Sequence, residues 1–109
     1  MTNAMQPLAI LGAGSWGTAL ALHLSLRGQV VHLWTFDAKH GAELQTEQVN
    51  HHYLPGHPFP TSLHPTAQLA VALQEVNDIL IAVPSVGFRD TVTHLKPLLK
   101  PGMRIAWAT

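Results

Sequence analysis

Leu8-Ala9-Ile10-Leu11-Gly12-Ala13-Gly14-Ser15-Trp16-Gly17 joins a short apolar run to three glycines at the spacing G-x-G-x-x-G. A strand that feeds such a turn and then a helix is the fingerprint of a dinucleotide site. Gly12 permits the tight turn off the strand. Gly14 lets the backbone approach a pyrophosphate with no Cβ in the way, and Gly17 lets the helix press against the sheet. The unpaired N–H groups of the helix's first turn, with the positive end of its dipole behind them, suit an anion.

Glycines at this spacing also occur in loops, so the flanking sequence decides between the two readings. Thr18 to Arg27 is helix-compatible and stops at Gly28, a favourable residue just past a helix end. Val30-Val31-His32-Leu33-Trp34 then reads as a second strand, which completes a βαβ unit of right-handed crossover. Gly17 and Ala21 are both small and share one helical face, as close helix–sheet packing requires.

Further along, Lys39 to Val49 reads as a helix weakened by Gly41, and the proline-rich stretch Asn50 to Pro60 as an ordered surface loop. Pro65 to Val76 is expected to be a helix with proline at its start. Asp78 to Val83 is expected to be a strand buried on both faces and stopped by Pro84. Val86 to Leu99 reads as a helix around Pro97, and Met103 to Ala108 as another strand. The expected fold is α/β, Rossmann-like, with a mostly parallel sheet and helices on both faces. The chain stops at Thr109, directly after a strand, where a doubly wound sheet places its functional groups; the substrate half is expected to lie outside residues 1–109.

Composition limits the alternatives. The 109 residues are 47% hydrophobic and 11% charged, with a formal net charge of zero, so no basic field exists to hold nucleic acid or an anionic membrane. No cysteine is present, which excludes a disulfide framework, a thiol nucleophile and a zinc–thiolate site. Met1 to Pro7 lacks the charged start and apolar core of a signal peptide, and no apolar run approaches the ~20 residues that span a bilayer. A cytoplasmic location is expected. Four of the eight histidines, His51, His52, His57 and His64, fall in one region; without carboxylates or thiolates at ligand spacing they read as a solvated loop and not a metal site. Lys39, Lys96 and Lys100 are too scattered for a phosphate clamp, and no Gly-Lys-Ser/Thr follows the glycines as a P-loop requires.

Gly12 to Leu20, Leu33-Trp34, Asn50 with Tyr53-Leu54-Pro55-Gly56, and Ile79 to Ser85 together resemble NAD(P)-dependent glycerol-3-phosphate dehydrogenases of the bacterial type. Related enzymes such as 6-phosphogluconate and 3-hydroxyacid dehydrogenases share the glycines but not usually the Leu-Pro-Gly loop. The resemblance covers the whole chain and implies an N-terminal NAD(P)-binding domain over residues 1–109, without its C-terminal substrate domain. It implies hydride exchange between NAD or NADP and the pair glycerol 3-phosphate/dihydroxyacetone phosphate, for glycerophospholipid synthesis. The family's catalytic lysines fall outside these residues, so no catalytic residue is assigned. A dinucleotide-binding module without catalysis, or the cofactor domain of another 3-hydroxyacid-type dehydrogenase, are the competing readings. An exposed sheet edge would favour self-association, so a homodimer is possible.

The resemblance also implies cofactor contacts beyond the glycines. Ser15 and Trp16 match residues that line the pyrophosphate, although Ser15 could serve only as a helix cap and Trp16 only in packing. Phe36 matches the position that flanks the adenine, where edge packing is the plainer alternative. Pro84 and Ser85 match the nicotinamide side, or else simply end a strand and begin a helix. The position that usually carries an acid for the ribose of NAD is Thr35, and Phe36 stands where many bacterial relatives have a basic residue. With no arginine there and Asp37 close by, NADP is expected to have little advantage over NAD.

Overall fold

A computed structural model describes residues 6–108; the expectations attached to Met1–Met5 and to Thr109 lie outside them. Five parallel strands, β1 (Leu8–Leu11), β2 (Val31–Trp34), β3 (Leu63–Thr66), β4 (Asp78–Ile81) and β5 (Arg104–Trp107), form one sheet in the order β3-β2-β1-β4-β5. Helices α1 (Ser15–Leu26), α2 (Ala38–Glu47), α3 (Leu69–Ala72) and α4 (Ser85–Leu95) connect them.

The alternation of side chains along each strand divides the core in two. Ile10, Val31, Leu33 and Leu63 pack with Ala21 and Leu22 of α1 and Leu44 of α2. Ala9, Leu11, Trp34, Ile79 and Ile81 face the opposite way, toward Ala72 of α3, Leu73, Val76 and Leu95 of α4. The chain therefore winds outward from β1 to β3 under one pair of helices, then crosses back to β4 over the other face. The direction of winding reverses between β1 and β4, and an open α/β sheet parts there beyond its strand ends.

Most local expectations hold. Gly28, with φ of +96°, follows the end of α1 and donates its N–H to the Ser25 carbonyl at 3.0 Å. Gly41 does more than weaken α2: a Cβ there would lie 2.6 Å from the Ala67 Cβ, so glycine lets α2 rest against the turn after β3.

Four expectations need correction. Pro65 does not begin a helix; it lies inside β3, opposite Leu33. β3 is an edge strand, and the carbonyls of Ser62 and Thr66 accept from Val31 of β2 and from Thr35 just past its end, so the intervening Pro65 directs its missing N–H away from the ladder. The helix expected over 65–76 shrinks to the single turn of α3. The helix expected over 86–99 starts one residue earlier and ends at Leu95, where Pro97 forces a 3-10 turn over Lys96–Leu98. Finally, β4 is not buried on both faces: Ile79 and Ile81 are, but Leu80 is only half-buried, and β1 is the strand with both faces closed. All four residues of the other edge strand, β5, are exposed; Arg104 clasps Asp78 of β4 with Nε 2.7 Å from Oδ1 and Nη2 3.1 Å from Oδ2.

Candidate functional site

A cleft of about 740 Å³ opens where β1 and β4 part. One wall is the turn Gly12–Trp16, a second is the segment Ala82–Pro84 with Ala108, and the third runs from the end of β2 (Thr35, Phe36, Asp37) to His40 and Glu43 of α2 and on to His52 and Tyr53. Six of the eight residues singled out from sequence line it: Gly12, Gly14, Ser15, Trp16, Phe36 and Pro84. Gly17 stands behind the turn. Ser85 begins α4 with its side chain exposed and is not part of the lining.

The three glycines differ in what the protein demands of them. Gly12 has φ of +122°, and a Cβ on it would come within 2.9 Å of both the Ala82 carbonyl carbon and a Val83 methyl group. A Cβ on Gly17 would fall on the Gly12 carbonyl oxygen, so α1 could not start so close to the strand. Gly14 meets nothing within 4 Å and has an extended backbone, φ −80° and ψ −167°, that any residue can adopt. Nothing in the protein asks for glycine at that position; the space it leaves belongs to the cleft.

α1 opens toward this space. Its first intrahelical bond runs from the Thr18 N–H to the Gly14 carbonyl at 3.0 Å, which leaves the N–H groups of Ser15, Trp16 and Gly17 without helical acceptors. Gly14, not Ser15, is the cap, and it caps with no side chain. The Ser15 hydroxyl instead donates to the Tyr53 carbonyl at 3.0 Å. Trp16 is 55% exposed and Phe36 is 68% exposed, so neither ring is consumed by the core. Phe36 touches the Trp34 and His94 rings edge-on, with centroids 6.2 and 5.6 Å apart.

The wall facing the glycines is held by side chains, and its centre is Asn50. This residue is fully buried, with Nδ2 donating to the Ala13 carbonyl and to Thr18 Oγ1, both at 2.9 Å. Because the Ala13 carbonyl can only accept, the amide must present nitrogen to it, and Oδ1 turns the other way. Oδ1 accepts from the Tyr53 N–H at 3.3 Å and faces His40 Nε2 at 3.2 Å. An acceptor there requires the Nε2–H form of His40; in the neutral ring Nδ1 then receives the Thr35 hydroxyl at 3.3 Å. Thr35 Oγ1 in turn accepts from the Asp37 N–H at 3.4 Å. A continuous chain of directed hydrogen bonds thus ties the glycine turn to the end of β2. Sequence reading had weighed Asn50 and Tyr53 only for resemblance, and it missed His40 and Glu43 altogether. Their signal is present: α2 follows directly from β2, so positions 40 and 43, three apart, face the strand ends.

The histidines distribute among several partners. His52 Nε2 lies 3.3 Å from Glu43, nine residues earlier, and His51 Nε2 lies 3.6 Å from Glu47, four residues earlier, so carboxylates from α2 reach the loop. His64 stacks on its cross-strand neighbour His32, with ring centroids 5.2 Å apart. Burial and the charge of His64 both push the His32 pKa down. Among the described residues, no three His, Cys, Asp or Glu side chains gather as a metal site. No described helix is long and apolar enough to cross a membrane. Among the described residues no lysine or arginine lines the cleft, so the backbone N–H groups and the dipole of α1 are the main features that suit an anion there.

Comparison with known proteins bears on this arrangement. A family model described as the N-terminus of NAD-dependent glycerol-3-phosphate dehydrogenase matches residues 7–109. The chain is similar to glycerol-3-phosphate dehydrogenase (NAD(P)+) of Coxiella burnetii, with 52% identity over 103 residues covering 94% of this chain and 31% of that protein. The corresponding enzyme of Haemophilus influenzae is 44% identical over 109 residues, 100% of this chain and 32% of its own length. A crystal structure of the Coxiella burnetii enzyme superposes with a TM-score of 0.93 at 52% identity, over 95% of this chain and 32% of that one. The yeast glycerol-3-phosphate dehydrogenase structure, at 22% identity, shares the fold with a TM-score of 0.80 over 94% of this chain. The chain spans about a third of the length of the curated relatives it matches. It belongs to the NAD-dependent glycerol-3-phosphate dehydrogenase family and corresponds to the N-terminal part of its members.

Proposed function

We propose that residues 1–109 form the dinucleotide-binding domain of a glycerol-3-phosphate dehydrogenase. The nicotinamide group would carry the hydride exchanged between glycerol 3-phosphate and dihydroxyacetone phosphate. In this reading the N–H groups of Ser15, Trp16 and Gly17 receive the pyrophosphate, with Gly12 and Gly14 shaping the turn beneath it. The exposed rings of Trp16 and Phe36 supply planar surfaces, Phe36 toward the adenine. Pro84 marks the side of the cleft for the nicotinamide, with Ser85 next to it at the start of α4 and outside the lining. No acid or base for the hydroxyl proton is assigned within these residues, and the chain by itself is expected not to turn over dihydroxyacetone phosphate. A cytoplasmic location and a homodimer belong to the same proposal; sedimentation of the purified chain tests the latter.

The observation that carries the reading is the empty volume at Gly14, set beside unpaired N–H groups and free of any structural demand. Gly14→Val puts a branched side chain into that volume, where its Cβ meets no protein atom within 4 Å. Calorimetric titration with NADH should show affinity falling at least about a hundredfold, near 2.7 kcal/mol, with the melting temperature of the free chain unchanged. Equal binding by the variant and the parent would overturn the assignment.

A further inference from the structure

We propose that His40 is a positioning residue for the adenosine half of the dinucleotide and serves in one proton state only, so that acid weakens binding; the proposal rests on the dinucleotide reading above. The ring is half-buried in the wall between the glycine turn and the end of β2, and both of its nitrogens are engaged. Nε2 faces Asn50 Oδ1 at 3.2 Å, and Nδ1 faces Thr35 Oγ1 at 3.3 Å. On one side Asn50 leads to the Ala13 carbonyl of the glycine turn; on the other, Thr35 leads to the N–H of Asp37, next to Phe36. His40 is thus the joint between the seat read for the pyrophosphate and the ring read for the adenine.

The partners limit how many protons this joint can hold. Asn50 presents its nitrogen to Ala13 and Thr18, so its oxygen can only accept and Nε2 must carry a hydrogen. Nδ1 is then the acceptor for the hydroxyl of Thr35, a buried residue whose oxygen already receives the Asp37 N–H. A second proton on the ring would go to Nδ1. The Thr35 hydroxyl would lose the one acceptor that it has among the described residues, at a site closed to water. Relief requires the ring to swing off Thr35 or the turn before α2 to give way. Either movement uncouples the glycine turn from the segment that carries Phe36.

A positive ring would also attract the negative pyrophosphate, and that effect has the opposite sign. It acts across a cleft open to solvent and salt, whereas the lost hydrogen bond is buried and local, so the loss is expected to prevail. The other titratable groups in the lining are Asp37 and Glu43 around α2, and His52 and Tyr53 of the facing loop, whose rings meet His40 edge-on at centroid distances of 6.0 and 5.6 Å. His52 is the second imidazole there, 3.3 Å from Glu43, and it has no bond to the Asn50–Thr35 chain.

Calorimetric titration of the chain with ADP-ribose, which carries both the adenosine and the pyrophosphate and withstands mild acid, tests this at about pH 8 and about pH 5.5, on either side of the ordinary histidine value. Circular dichroism at both pH values verifies that the chain stays folded. The parent is expected to bind at least about fivefold more weakly in acid. His40→Gln can offer an amide N–H to Asn50 but has no proton to gain, so its affinity should change less than about twofold between the two conditions, whatever its level. His52→Gln should keep the acid response of the parent. Nitrogen-15 spectra of the parent at pH 8 should show His40 protonated at Nε2 and bare at Nδ1. A parent affinity that is flat or rises in acid, an acid response retained in His40→Gln or lost in His52→Gln, or a proton on Nδ1 at pH 8 would each overturn the proposal while leaving the dinucleotide site standing. No binding of ADP-ribose by the parent at pH 8 would overturn both.

Discussion

Two walls of the cleft are built on opposite principles. The Gly12–Gly17 turn is made by removing side chains: two of its glycines are demanded by contacts with the protein's own backbone, and the third leaves room. The Asn50–Tyr53 turn is made by adding them, through a buried amide that bonds to the glycine turn on one side and to α2 on the other. Backbone supplies the anion-facing groups, whereas side chains hold that backbone in place. Damage to the first wall should therefore separate cleanly into loss of fold or loss of ligand. Damage to the second should cause both at once.

Gly17→Val sets the largest effect. The new side chain would strike the Gly12 carbonyl, and α1 would have to lift from the sheet; overpacking of this kind costs about 3 kcal/mol or more. Urea denaturation should show a chain close to unfolded, in contrast to Gly14→Val, which should melt like the parent. If the two variants lost equal stability, the separation within the glycine wall would be false.

Asn50→Asp probes the opposite wall with almost no change in volume. Two donors become acceptors facing the Ala13 carbonyl and Thr18 Oγ1, for an expected loss of about 2–3 kcal/mol. NADH affinity should weaken as well, because the Ala13 carbonyl belongs to the turn itself. A variant that lost stability yet bound NADH unchanged would show that Asn50 only braces the fold.

Ser15→Ala removes an exposed bond between the walls, from the Ser15 hydroxyl to the Tyr53 carbonyl. Its expected effect is about 0.5–1 kcal/mol in urea denaturation. A larger loss would mean that this bond, and not Asn50, joins the two walls.

The smallest effect concerns acid, and it should fall outside both walls. The folded state holds the His32 pKa below its ordinary 6.5, mainly through burial and secondarily through His64. As pH drops through 6.5 the unfolded chain takes up this proton first, so stability is full above that value and declines below it. His32→Gln should flatten the acid side of a melting-temperature profile. An unchanged acid slope would move the sensitivity to other groups.

How far each wall could be read in advance follows from the range of the forces that make it. The glycine spacing, the strand before it and the helix after it are neighbours in sequence, and steric rules for backbone act over a few residues. Family, fold class and the turn were legible for that reason. β3 was not, because Pro65 carries a strong local signal for a helix start, and only its place at the sheet edge makes a proline harmless in a strand.

The third wall lay further out of reach. Asn50 stands 37 residues from Ala13 and 32 from Thr18, and no local pattern announces a pairing at such separation. Asp37 could be read from sequence as a turn acid, but its fixing at the start of α2 by the Lys39 and His40 N–H groups appears only once β2 and α2 are placed. Sequence alone determined the parts that rest on backbone sterics and on the alternation of apolar residues. Tertiary structure decided which polar side chains meet, because their hydrogen bonds form only after hydrophobic burial has brought distant segments together.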